Sequence, residues 1–154
     1  MKKFKYPLLA IFCTIILGAG FGLDMWFAPH RDVRTAPVFE EFDVDDFTSE
    51  FILDYQAATE RYLSDDGDSK IVTMTGTITE IDTNLNEEIV IELHGEKPEA
   101  GARFTLAYDQ VEKAKDLQPG DKTKLTGVVS CGAYFDTDFN RYIDAVLEQA
   151  YFDN

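Results

Sequence analysis

Two cysteines and two histidines are all that 154 residues contain, and neither pair is placed to do chemistry together. Cys13 lies in an apolar run and Cys131 in a strand-like segment, so no disulfide framework supports the fold. His30 and His94 are isolated, the second in a turn before Gly95, and without Cys or a second His at ligand spacing no zinc motif is present. The patterns G-x-S-x-G and H-E-x-x-H and the phosphate-binding loop are missing as well, and Cys131 has no histidine near it in sequence. A non-enzymatic protein without an organic cofactor is expected.

Positive charge is also scarce, with 14 Lys and Arg against 29 Asp and Glu, a formal −15. Lys2, Lys3 and Lys5 sit ahead of every acid, so the chain beyond residue 23 carries eleven basic residues against 29 acidic ones, a formal −18. A field of that sign repels phosphate backbones and removes the main affinity term of generic nucleic-acid binding.

Charge of either sign is absent from Tyr6 to Leu23, about the minimum length that spans a bilayer. Cleaved signal peptides start in this way too, and Gly18 and Gly20 offer a small-residue site. The apolar character resumes at "MWFAP", however, where Trp26 and Phe27 suit a membrane interface, which favours a retained anchor over residues 1–27. Phe12 ahead of Cys13 does not fit a lipidation site. The lysines before the span, against Arg31 and Arg34 after it, orient the C-terminal domain outside the cytoplasm in a single-pass arrangement. Pro29 and Pro37 mark a linker over 28–43, leaving 44–154 as one folded domain.

Within that domain Phe47, Phe51, Tyr55, Ala58 and Tyr62 recur at helical spacing and predict one helix packed through an aromatic stripe, with Asp45 or Asp46 as its cap. "KIVTMTGTITEID", "IVIEL" and "ARFTLAY" read as three strands in succession, "DQVEKAKDL" as a short helix ended by "QPGD", and "KTKLTGVVSCG" as a fourth strand. The last segment, "YIDAVLEQAYF", has apolar residues at Ile143, Ala145 and Leu147 and is otherwise irregular, so it reads as strand with helix as the alternative. Met74-Thr-Gly-Thr-Ile78 echoes Leu125-Thr-Gly-Val-Val129, which predicts two neighbouring strands bent at Gly76 and Gly127. The fold class expected is mainly β: a five-stranded Greek-key barrel of OB type, with an N-terminal helix and a short helix between strands three and four, preceded by one transmembrane anchor.

The segments "YQAATERYL", "KIVTMTGTITEI" and "KDLQPGDKTKLTGVVS", the C-terminal strand and "FAPHRDV" after the apolar span resemble the tRNA_anti-like family of small bacterial OB-fold proteins, many with an N-terminal signal or anchor. The resemblance implies the fold and, through the family's name, anticodon-type nucleic-acid binding; it brings no catalytic motif. Haem chaperones also join one anchor to an external OB domain but use a C-terminal histidine, and no histidine follows His94 here, so haem carriage is not expected.

In an OB barrel the loops after the first and fourth strands border the ligand face. Each loop here has oxygen side chains at alternate positions: Asp82, Asn84 and Asn86 in one, Asp136, Asp138 and Asn140 in the other. The sixth positions are Glu87 and Arg141 and the twelfth Leu93 and Leu147, which excludes an EF-hand. Turn formation is the plain reading, and a weak calcium (Ca2+) site shared by both loops is the sharper one. Tyr134, Phe135, Phe139 and Tyr142 frame the second loop as candidate ligand-stacking residues. The function expected is a membrane-anchored, extracytoplasmic binding module for an envelope protein, peptide or glycan, with single-stranded nucleic acid as the alternative.

Overall fold

The structure, a computed structural model, describes residues 32–65, 68–97 and 99–153. The expected anchor, residues 1–27, lies outside the described residues. Among the described residues no helix is long and apolar enough to cross a membrane. A compact unit runs from Val33 to Asn154.

Five strands close into a barrel: β2 (Ile71–Thr83), β3 (Ile89–His94), β4 (Ala102–Leu106), β5 (Lys122–Cys131) and β8 (Ala145–Phe152). Their order is β2-β3-β4-β8-β5, with β5 pairing back onto β2. All neighbours are antiparallel except β4 and β8, which run parallel. This is the topology of an OB barrel, as the sequence predicted. Closure depends on β2, whose first half, Ile71–Thr77, pairs with β5 while its second half, Thr77–Thr83, pairs with β3. A strand that pairs with β5 along one half and β3 along the other must coil between them, and Gly76 sits at the handover. The two glycine-centred segments do pair, with Met74 opposite Leu125, Gly76 opposite Thr123 and Val72 opposite Gly127.

Alternation along the strands sends Met74, Ile78, Ile91, Leu93, Phe104, Leu125 and Leu147 into the core, each at most 1% exposed. Complete burial of one such side chain contributes roughly 1.5–3 kcal/mol. The barrel is plugged by α1 (Val44–Leu53), whose Val44, Phe47 and Phe51 are buried and whose two phenylalanine rings stand 5.2 Å apart.

The predicted single helix is two, because Asp54 leaves helical geometry and its carboxylate accepts the Ala57 amide at 3.1 Å, capping α2 (Tyr55–Tyr62). Tyr55, expected on the buried stripe, is consequently 44% exposed. Neither Asp45 nor Asp46 caps α1: its N-cap is Asp43, without a side-chain bond, and Asp45 accepts the amides of Glu96 and Lys97 at 2.8 and 3.0 Å. The segment read as linker reaches into the fold, since β1 (Glu40–Asp43) pairs in parallel with β2. Pro37 is compatible with that role because it lies ahead of β1 and takes no part in the pairing. The stretch "DQVEKAKDL" forms a 3-10 turn, Tyr108–Gln110, and one helical turn, α3 (Val111–Ala114). Irregularity in the last segment has a physical cause: Gln149 adopts φ 52°, the register slips there, and Ala150 returns to the core after two outward residues.

Tyr62 is fully buried, and its hydroxyl donates to Glu50 Oε2 at 2.8 Å. Burial, then the Glu50 carboxylate, raise the phenol well above its ordinary pKa of 10.0. The stability this confers is complete below that value and is lost as pH climbs above it, because the unfolded chain releases the proton first. Urea midpoints should therefore hold up to about pH 10 and fall as pH is raised beyond it, and Tyr62→Phe should reduce that fall while costing about 1 kcal/mol at neutral pH.

Candidate functional site

On β3 and β4 the same alternation that buries Ile91, Leu93, Ala102 and Phe104 leaves Glu92, His94, Arg103 and Thr105 partly exposed on the opposite face. Glu92 and Arg103 are register partners, so their side chains stand together on the outside of the barrel. Glu92 is the hub. Its Oε1 accepts from Thr79 Oγ1 at 3.1 Å and lies 3.1 Å from His94 Nε2, while its Oε2 is 3.9 Å from Arg103 Nε. Asp144 closes the group from the start of β8, its Oδ1 accepting the Gly101 amide at 2.7 Å. Glu92, His94 and Asp144 bring one ligand atom each within 4.8 Å of one another. Part of this was readable, since Glu92 and His94 are two apart in a strand and must share a face. Asp144 arrives only through the parallel pairing of β4 and β8, which nothing local in the sequence signals.

One border of this face is the β2–β3 turn. Asn84 Oδ1 accepts the amides of Asn86 and Glu88 at 2.9 and 3.0 Å, and Asn84 Nδ2 donates to Glu88 Oε2 at 2.8 Å. Asp82 Oδ1 accepts the neighbouring Thr83 amide at 2.7 Å, and Glu87 takes φ 64°. Asn84, Asn86 and Glu88 line a groove with Thr105, Tyr108 and Glu148.

The other border is a small ribbon of β6 (Tyr134–Asp136) and β7 (Arg141–Ile143), a feature the sequence reading had split between a loop and the last strand. Asp136 Oδ1 accepts the amides of Asp138 and Phe139 at 2.9 and 3.2 Å, and Asn140 turns the chain at φ 51°. Phe135 and Tyr142 face each other across the ribbon at 4.9 Å, and the Arg141 guanidinium lies 5.5 Å from the Phe139 ring centre. Phe139 is 73% exposed, whereas Tyr134 meets Tyr55 of α2 at 6.3 Å. The four aromatics thus divide between a helix-facing contact and an exposed edge.

These two loops do not meet. The β2–β3 turn adjoins Ile89 and Val90, and Val90 pairs with Thr105 at the end of β4; the ribbon adjoins Cys131 and Ala145, and Ala145 pairs with Ala102 at the start of β4. They stand at opposite ends of the β3–β4 strands. A cation held jointly by Asp82, Asn84, Asn86, Asp136, Asp138 and Asn140 is therefore not formed. In each loop the leading oxygens serve the turn instead.

One solved structure shares the fold at a TM-score above one half. A lipoprotein of Klebsiella pneumoniae subsp. pneumoniae MGH 78578, for which nucleic-acid binding is itself only a proposal, superposes with a TM-score of 0.53 at 17% identity, over 74% of this chain and 91% of that one. The Stn1-ten1 complex of S. pombe gives a TM-score of 0.36 at 11% identity, over 55% of this chain and 58% of that one. No curated protein matches the chain. The sequence profile of the tRNA_anti-like family matches residues 1–137, and the chain belongs to that family.

Proposed function

We propose that the protein is a membrane-anchored, extracytoplasmic binding module without enzymatic activity, and that it takes a protein, peptide or glycan on the outer β3–β4 face. The carrying observation is the aromatic edge: Phe135, Phe139 and Tyr142 are 43, 73 and 36% exposed beside a polar strip formed by Glu92, His94, Arg103 and Asp144. Exposed aromatics next to hydrogen-bonding side chains supply rigid contact area and directional recognition together. Anchoring is supported by the lysine-flanked, charge-free stretch from Tyr6 to Leu23.

Single-stranded nucleic acid is the second reading, favoured by the family's name and by the reading given to the Klebsiella lipoprotein. Aromatic edges stack on bases as readily as on sugars or peptides. The formal −18 beyond residue 23 weighs against it, because phosphate contacts supply most of the affinity of such modules.

The test places a photo-crosslinking residue at Phe139 of the ribbon and, separately, at Tyr108 beside the β2–β3 turn, in living cells. Adducts to an envelope protein or glycan are expected from position 139, and protease added to intact spheroplasts should remove the domain that carries them. Adducts to nucleic acid, or a domain that resists protease until the membrane is broken, would overturn the reading.

A further inference from the structure

We infer that Glu92, His94 and Asp144 form a binding site for a divalent transition metal of the zinc type on the outer face of the barrel. One imidazole nitrogen and two carboxylates come within 4.8 Å of one another, from the C-terminal end of β3 and the residue just before β8. A nitrogen with two oxygens is a donor set that zinc accepts with a fourth position left open, whereas calcium requires six to eight oxygens, which this group does not offer. The two carboxylates would repel each other at this range, and a dication between them removes that repulsion.

The surroundings are built as the outer shell of a metal site is built. The Thr79 hydroxyl donates to Glu92 Oε1, and the Gly101 amide donates to Asp144 Oδ1, which fixes both carboxylates. Gly101 also makes room for the ring, since a Cβ there would stand 2.5 Å from His94 Nε2 and 2.6 Å from its Cδ2. Arg103 stands 3.9 Å from Glu92 Oε2, the oxygen on the other side of that carboxylate from His94, so the three ligands and Arg103 together still sum to one negative charge with a neutral imidazole. His94, Glu92 and Asp144 are each only partly buried, which leaves the centre accessible to an ion from solution. The sequence, with no Cys or second His at ligand spacing, argued against zinc; the carboxylates that complete this donor set are recruited by strand pairing instead. The inference is independent of which ligand the aromatic edge takes.

Zinc chloride alone, titrated calorimetrically into the full-length chain in detergent micelles, should bind with about one site per chain. His94→Gln and Asp144→Asn should each weaken that site by at least about tenfold, while Asp136→Asn, whose carboxylate caps the ribbon's own turn, leaves it unchanged. Circular dichroism of the metal-free variants checks that the fold is retained. A readout that needs no substitution is histidine-ring NMR of the parent chain: zinc should shift the signals of His94 and leave those of His30 in place. No saturable zinc binding, equal weakening by Asp136→Asn, or unmoved His94 signals would overturn the site.

Discussion

Phe51→Ala is expected to lower the unfolding free energy by about 3–5 kcal/mol, the range for truncating a buried phenylalanine that leaves a cavity. Phe51 is 1% exposed, and its ring lies 5.2 Å from Phe47 and 5.7 Å from Tyr62. It also fills the space over Gly132, where a Cβ would overlap the Phe51 ring. Gly132 links β5 to the ribbon, so the same ring that plugs the barrel also seats the ribbon's base. Two observables should therefore move together: the urea midpoint falls, and amides of the ribbon exchange faster relative to those of β3. A variant that loses stability with unchanged relative exchange would detach the ribbon from the core.

Gly76→Val is expected to cost about 2–3 kcal/mol and Gly127→Val about 1–2. A Cβ at Gly76 would stand 2.8 Å from Val44 Cγ2, 3.0 Å from the His94 carbonyl oxygen and 3.1 Å from Leu93 Cβ. Those neighbours belong to the plugging helix and to β3, and the His94 oxygen is backbone and the Leu93 Cβ fixed to it, so neither of these yields without moving β3. At Gly127 the nearest atoms are Leu147 Cβ at 3.2 Å and the Glu148 carbonyl at 3.3 Å, where a shift of a few tenths of an ångström suffices. Exposed Glu99→Gln serves as the control and should stay within about 0.5 kcal/mol of the parent. Urea denaturation that ranks Gly127→Val below Gly76→Val, or places both with the control, would contradict the role of Gly76 as the point where β2 changes partners.

That glycine was visible in the sequence, and the reason is general. A strand rich in Thr, Ile and Val tolerates glycine where backbones cross closely, and "MTGTI" and "LTGVV" announced such positions in both paired strands. The barrel order was legible for a related reason, since β2, β3 and β5 each have their own run of Thr, Ile or Val between turn residues. What escaped was set by pairing over long distances. The edge strand β1 is short, "EEFD", and gains its conformation from Val72, Thr73 and Met74 of β2. The slip at Gln149 hides the two-residue period of β8. The two oxygen-rich loops looked equivalent because their spacing is the same, yet β5 runs antiparallel to β2, so their C-terminal ends, and the loops that follow, lie at opposite ends of the sheet. Composition described each loop correctly as a turn; strand direction decided that they cannot share an ion.

We propose that this acidic barrel recognises something other than a polynucleotide on its outer face, and titration of the full-length chain into labelled single-stranded DNA and RNA oligonucleotides at about 20 mM and 200 mM salt tests this most directly. A phosphate reader loses affinity steeply across that interval, with a slope set by the number of phosphates it contacts. The formal −18 beyond residue 23 predicts no measurable binding even at the lower salt. Saturable binding at low salt that weakens by orders of magnitude at high salt, and that disappears in Phe139→Ala, would contradict the account and make the aromatic ribbon a base-stacking edge.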